Sequence, residues 1–407
     1  MKIKEKIALL LAVSFITVLG SAQAGLLEYT PYGSPASAYS AVGLALNIKG
    51  VALPGQGLLV NPALMTETEG LEAQLAAGIN WRREYRSIEA FDTYANSVGL
   101  LTMSINDQTD YNLHGAQASY SFRRWGLPRT ALGFGISREY DFSYRLKTEE
   151  RDAFYYVTRI YQQNEEGAIY GYSGALAVKP FSFLSAGLGL TRLSGDPKIA
   201  ITEDYADPTY PDVKIDYRFN YKGYRYSAGA FGQITPRLNL GISWKSSARM
   251  EGPFSYSYND TTINDQQKVG LPSSYTIGVN YRPSNEFPAT VSLEYEYSPW
   301  QNLTDNLFSY DDLLSPVSRY SFGISHRMKN NRPLYFGVSF TNSYLSSSIG
   351  LARAGFGTEI SLPWVNAGIS AGMGRRTFNY GQAFGTSSRT TVSETMADLM
   401  LTISLKK

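Results

Sequence analysis

Three sets of side chains have types and spacings that invite a chemical reading. The first is Gly368-Ile369-Ser370-Ala371-Gly372, which fits the G-x-S-x-G pattern of a nucleophilic serine. That chemistry needs a sharp strand-to-helix elbow to expose the hydroxyl. Here the flanking residues alternate apolar and small, so Ser370 is expected inside a strand and without a catalytic role. The second set is the pair His114 and His326 in a chain without cysteine. A zinc site would have to draw on carboxylates, and neither histidine has a second ligand at a suitable spacing. His326 falls on the face of Tyr320, Phe322 and Ile324, and His114 falls in a long gap expected to be a loop. Both are expected to be structural or solvated. No G-x-x-x-x-G-K-[ST] run is present. No enzyme activity, cofactor or metal is expected.

The third set is basic. Lys222, Arg225, Lys245 and Arg249 stand on two successive alternating stretches joined at Thr235-Pro236. Antiparallel pairing through that turn brings Arg225 near Lys245 and, with a one-residue slip, Lys222 near Ser247. Lys245 shares a face with Asn239 and Ser243. Lys222, Arg225 and Lys245 are therefore candidates to bind an acidic headgroup, which arginine grips through two parallel bonds. The competing reading is that carboxylates such as Glu294 and Glu296 neutralise them.

The elements that must position these residues are strands. In 238–245, Leu238, Leu240, Ile242 and Trp244 face one way and Asn239, Ser243 and Lys245 the other. Leu334, Phe336, Val338 and Phe340 oppose Tyr335, Gly337 and Ser339; Leu399, Leu401, Ile403 and Leu405 oppose Asp398, Thr402 and Ser404. About fourteen such stretches are expected. They lie near 71–83, 117–124, 130–145, 168–178, 182–192, 215–232, 237–249, 273–282, 289–297, 318–327, 334–341, 355–362, 365–378 and 391–405. Short Gly/Pro/Asn turns alternate with long polar gaps at 84–115, 147–167, 194–213, 251–270 and 298–316. An even strand count with short and long connections in turn is the pattern of a transmembrane antiparallel β-barrel, with short turns and both barrel ends in the periplasm. A soluble β-sandwich is the alternative, with shorter strands and less regular gaps. A phase slip at Lys222-Gly223 suggests a bulge.

Composition fits a barrel. The 31 tyrosines far outnumber the 5 tryptophans and suit strands and membrane-interface girdles. A net charge of +2 gives no sign of a nucleic-acid partner. Lys2, Lys4 and Lys6, an apolar run and Ala22-Gln23-Ala24 read as a secretory signal over 1–24. The segment 25–70 does not alternate. It is fairly apolar and contains Asn61-Pro62-Ala63, where Asn61 suits a helix N-cap and Pro62 the first helical position, giving one short helix. Its apolar character favours a plug in the lumen of a barrel spanning 71–407.

At these residues the chain resembles the FadL-like family, outer-membrane transporters of long-chain fatty acids and other hydrophobic compounds. Asn61-Pro62-Ala63 is similar to a motif of the family's N-terminal hatch, and 36–41 to the start of that hatch. The segments 240–246, 271–283 and 294–300 also look familiar, and the strand count agrees with the family's fourteen. The chain departs in ending Leu405-Lys406-Lys407 without an aromatic, and in lacking an acidic pair ahead of the Asn-Pro-Ala motif. The resemblance implies passive movement of a hydrophobic small molecule, such as a fatty acid, through a monomeric plugged barrel in contact with outer-membrane lipid. It also implies lateral exit at a kink in the third strand, where Gly133 and Gly135 are the weak points by position. A structural or secretion-associated barrel and a small-solute porin remain the alternatives.

Overall fold

The structure is a computed structural model that describes residues 32–123, 128–152, 154, 156–283, 288–307, 314–329, 332–381 and 389–406. The expected signal at 1–24 lies outside the described residues. The chain first lays down a compact segment containing β1 (Ser34–Pro35), α1 (Ala41–Leu46) and a 3₁₀ turn (Pro62–Thr66). Fourteen antiparallel staves then close around it.

The first two staves are β2 (Gly70–Phe91) and β3 (Ser97–Phe122). Each of the next seven is broken into two strands. These are β4 (Arg129–Asp141) with β5 (Tyr144–Arg151), β6 (Val157–Glu166) with β7 (Ala168–Phe181), and β8 (Leu184–Gly195) with β9 (Lys198–Tyr205). They continue as β10 (Val213–Phe219) with β11 (Tyr221–Thr235), β12 (Leu238–Lys245) with β13 (Ala248–Tyr258), β14 (Thr261–Leu271) with β15 (Ser274–Tyr281), and β16 (Ala289–Ser298) with β17 (Thr304–Asp305). The last five are β18 (Val317–Arg327), β19 (Pro333–Asn342), β20 (Gly350–Ser361), β21 (Val365–Asn379) and β22 (Thr391–Lys406). Pairing of β2 with β22 from Glu72↔Lys406 to Ser87↔Thr391 joins the first stave to the last and closes the wall into a barrel.

The faces follow the alternation. Leu240, Ile242, Trp244, Phe336, Val338, Phe340 and Leu399 are exposed on the outside, whereas Gly241, Ser243, Ser339, Asp398 and Thr402 are buried inside. Trp244, Tyr275 and Tyr297 stand directly opposite one another on three neighbouring staves, forming part of an outward aromatic girdle.

Three expectations are corrected. The gap 84–115 is not a loop: β2 and β3 run on as a hairpin to Phe91↔Ser97. The gaps 147–167, 194–213 and 251–270 are likewise mostly strand. Above the membrane neither face meets lipid, so alternation fades while the backbone ladder persists. Second, there is no bulge at Lys222-Gly223. Register with β13 runs unbroken from Ile215↔Tyr258 to Tyr224↔Arg249. The apolar series changes sides because Tyr217, Phe219 and Tyr221 pack inward beneath the extension, against Phe254 and Phe142, whereas Tyr224 and Tyr226 face outward. The irregularity lies in the partner stave, where Arg225 and Tyr226 span Ser246, Ser247 and Ala248. Third, the segment ahead of the barrel holds α1 besides the turn at Asn61-Pro62. The Ser40 hydroxyl caps α1 by accepting the Gly43 N–H at 2.9 Å.

Candidate functional site

The N-terminal segment is seated in the lumen by small residues on the wall. Gly323, Gly337, Gly355 and Gly372 pair in a row across four staves and face inward onto α1. A Cβ added at Gly337 would fall on the Leu46 carbonyl. Polar contacts complete the fit. One Glu294 carboxylate accepts the backbone N–H of Lys49 at 2.5 Å, Gly50 at 2.8 Å and Val51 at 3.0 Å. Arg319 donates to the carbonyls of Ser37 and Asn47 at 2.8 and 2.9 Å.

Asn61-Pro62-Ala63 is the lower anchor. The Asn61 side chain accepts the Ala63 N–H at 3.1 Å and donates to the carbonyls of Val51 and Ala230 at 2.9 and 3.1 Å. Pro62 lies against Gly187 and Gly229, and Ala63 is fully buried. The motif therefore caps the 3₁₀ turn and ties it to the wall, with no chemistry of its own.

The basic set divides. Arg225 and Lys245 face the lumen and converge on Glu139 of β4, at 3.9 and 3.1 Å. Glu139 also accepts from the hydroxyls of Tyr39 at 3.0 Å and Ser137 at 2.7 Å. Arg225 is buried and donates to the Tyr140 hydroxyl at 3.0 Å. Lys222 is not part of this group: it faces outward, and its ladder partner on β13 is Glu251, not Ser247. The neutralising carboxylate is thus Glu139. Glu294 binds the segment's backbone, and Glu296 stands 3.7 Å from Lys49. Nothing in the spacing of the sequence points to Glu139, because Arg225 and Lys245 are 86 and 106 residues away and meet it only through closure of the barrel.

Two adjoining cavities lie above the segment. The smaller, about 60 Å³, is lined by Tyr39, Glu139, Arg225, Lys245, Pro272 and Trp300 among others. The larger, about 210 Å³, is lined by six cations (Lys49, Arg82, Arg138, Arg319, Arg353, Arg376) against three carboxylates (Asp141, Glu296, Asp398), with Leu351, Met396, Val317 and Trp300 as apolar wall. Arg353 pairs with Asp398, and Arg138 with Asp141 at 3.0 Å. Arg82 Nη1 has no hydrogen-bond partner among the described residues. His114 lines this cavity; it is a lumen residue of β3, not a loop residue. It is the extra residue where the β2–β3 register shifts between Ala76↔Gly115 and Ala77↔Leu113.

Beside this cavity the wall parts. The β3–β4 ladder runs from Phe122↔Thr130 to Gly115↔Ser137 and stops. Above it β4 turns to the N-terminal segment, pairing Tyr140 with Pro35 and Asp141 with Ser34. Its register against β7 shifts between Arg138 and Tyr140. Gly133 and Gly135 are not the weak points. Both remain in ladders on each side, and their missing side chains make room for Met65, Leu58 and Leu59. Across the break the links among the described residues run through β3 side chains: Arg138 Nη1 donates to Asn112 Oδ1, Gln108 Nε2 to the Arg145 carbonyl, and the Lys147 N–H to Asn106 Oδ1 at 3.0 Å.

The Ser370 pentapeptide lies in ladders with both β20 and β22, so no elbow exists there. Comparison with family models and with curated proteins gives no match to the chain. Among solved structures, a Pseudomonas aeruginosa FadL homologue superposes with a TM-score of 0.62 at 12% identity, covering 93% of this chain and all of that one. The Ralstonia pickettii toluene transporter TbuX gives 0.59 at 11% identity, and the P. putida toluene transporter TodX 0.58 at 13%. Each of these two covers 91% of this chain and 99% of its own. At such identities the likeness is one of fold: this chain has the barrel architecture of FadL homologues and monoaromatic hydrocarbon channels.

Proposed function

We propose that the protein is an outer-membrane passive transporter of hydrophobic compounds, with long-chain fatty acids or similar acidic amphipaths as its substrates. In this reading residues 1–24 are a leader, 25–70 a hatch and 71–407 the barrel, with both barrel ends in the periplasm. The observation that carries it is the break between β3 and β4 beside a lumen cavity that the N-terminal segment floors. A barrel wall is a continuous ladder because unpaired backbone in hydrocarbon costs several kcal/mol per group (about 4–8 for full transfer). A break beside a cavity is therefore retained for passage. Lys49, Arg138, Arg353 and Arg376 each pair with a carboxylate, which leaves Arg82 and Arg319 as the lining cations without an acidic partner among the described residues; these two favour an acidic headgroup over a neutral hydrocarbon.

The test uses the purified barrel with palmitate as probe. Bound palmitate at equilibrium and a closed state in planar bilayers are expected. Open-channel conductance without lipid binding would make it a porin, and stoichiometric copurification of a protein in place of lipid would make it an assembly barrel.

A further inference from the structure

We propose that a second break, between the staves β14–β15 and β16–β17, is a lateral inlet through which an acidic amphipath passes from the outer leaflet to the Glu139–Arg225–Lys245 pocket. The inference rests on the transport reading above and adds to it a route on a different part of the wall.

The β15–β16 ladder ends at Tyr275↔Tyr297. The next pairing between these two staves is Gly270↔Thr304. In between, 271–274 face 298–303 without a ladder. The cause is in the sequence: continuing the register would set Ser273 against Pro299 and Pro272 against Trp300, and a proline has no N–H to give. On the other edge the register holds, from Lys245↔Ser274 to Ala248↔Leu271, but 272–273 carry no ladder there either. Pro272 and Ser273 are thus unpaired on both sides.

The height of this break is set by the girdle. Trp244, Tyr275 and Tyr297 lie one step beneath it and face outward, so it opens where headgroups lie. Outside it is an open groove of about 740 Å³, lined by Arg249, Lys268, Pro272, Ser273, Pro299 and Asn302 among others. Inside it is the smaller lumen cavity, which Pro272 also lines. Pro272 is the partition between them, and Arg225 Nη2 donates to its carbonyl at 3.3 Å.

Charge marks the path. Lys268 and Arg249, the latter paired with Glu251 at 2.7 Å, stand at the outer mouth, and Arg225 and Lys245, which share Glu139, at the inner one. The groove's carboxylate, Asp305, already accepts from the Tyr32 hydroxyl at 2.8 Å and the Gln267 amide at 2.7 Å. An acidic headgroup passes from one cation pair to the next while its chain stays beside the apolar outer wall.

The test exploits a chain without native cysteine. Ser273→Cys and Asn302→Cys, each coupled to a bulky maleimide in the full-length barrel in vesicles, are expected to slow palmitate association about fivefold or more. Equilibrium affinity should stay the same, since a route alters rates and not the bound state. Arg249→Glu with Lys268→Glu should slow palmitate but not hexadecanol, and should flatten the salt dependence of the rate. Unchanged association in both labelled variants and in the charge reversal overturns the inlet. If the unlabelled protein binds no palmitate, the transport reading itself falls, and the inlet with it.

Discussion

Glu294 holds Gly50 by its backbone: the carboxylate accepts the Gly50 N–H at 2.8 Å, and the same group takes the N–H of the residues on either side. Gly50 has a φ of 92°, which turns three successive N–H groups toward one point. A single wall residue therefore fixes the middle of the N-terminal segment. Glu294→Ala leaves three buried donors without an acceptor, and a bond to a charged group contributes about 1.5–3 kcal/mol. The expected result is a folded barrel whose segment is loosened, seen as intermittent ion conductance in planar bilayers where the parent is closed. A closed variant would show that the glycine belt holds the segment alone.

That belt yields its own prediction. Gly337 lies opposite both Gly323 and Gly355, and a side chain there meets the Leu46 backbone, which cannot step aside by a rotamer change. Overpacking of this kind costs about 1–3 kcal/mol. Gly337→Val should make 32–66 sensitive to protease while the barrel keeps its resistance to unfolding in cold detergent. Gly174→Val is the matched control, because a Cβ there meets only the Phe134 ring, at 3.7 Å. It should leave the segment protected.

The Glu139 cluster is expected to behave as one electrostatic unit. Removing the acid leaves Arg225 and Lys245 facing each other with their shared counter-charge gone. Breaking a buried pair this way costs about 3–5 kcal/mol. Glu139→Ala should therefore lower thermal stability more than Lys245→Ala, and the double variant should be less destabilised than the sum of the two. A double-mutant cycle that closes additively, within about 0.5 kcal/mol, would mean the contact contributes little.

Much of this architecture is legible in the sequence, because lipid imposes a period of two on every stave. The inward and outward sets around Trp244, Phe336 and Leu399 follow directly from it. The hairpin 84–115 is hidden for the same reason: above the membrane both faces meet water or protein, and the period disappears. His114 is misplaced with it. Lys222 is set near Ser247 by a slip that does not exist: the apolar series changes sides between Tyr221 and Tyr224. The first packs inward under the extension and the second faces outward. Glu139 and Arg82 carry no local signal, since cation and carboxylate meet only across the lumen. The row Gly323–Gly337–Gly355–Gly372 does carry a signal: four inward glycines align across adjacent staves, and small residues on a lumen wall imply something pressed against it.

Arg82 offers the sharpest test of what the larger cavity binds. Arg353 is paired with Asp398, Arg138 with Asp141, and Arg319 with carbonyls of the N-terminal segment. Arg82 lines the same space with Nη1 lacking a hydrogen-bond partner among the described residues. Nη1 is itself buried, so a carboxylate that draws the guanidinium round toward the cavity gains a charge-assisted bond without first breaking another at that atom. Such a bond is worth about 1.5–3 kcal/mol, or roughly 10- to 100-fold in affinity. Arg82→Ala should weaken palmitate binding by about that factor, and Arg82→Lys should recover part of it. Hexadecanol, with the same chain and no charge, should bind parent and variant alike. Equal losses for palmitate and hexadecanol would assign Arg82 to packing of the cavity wall, and the cation excess around it to the fit of the barrel and not to the headgroup.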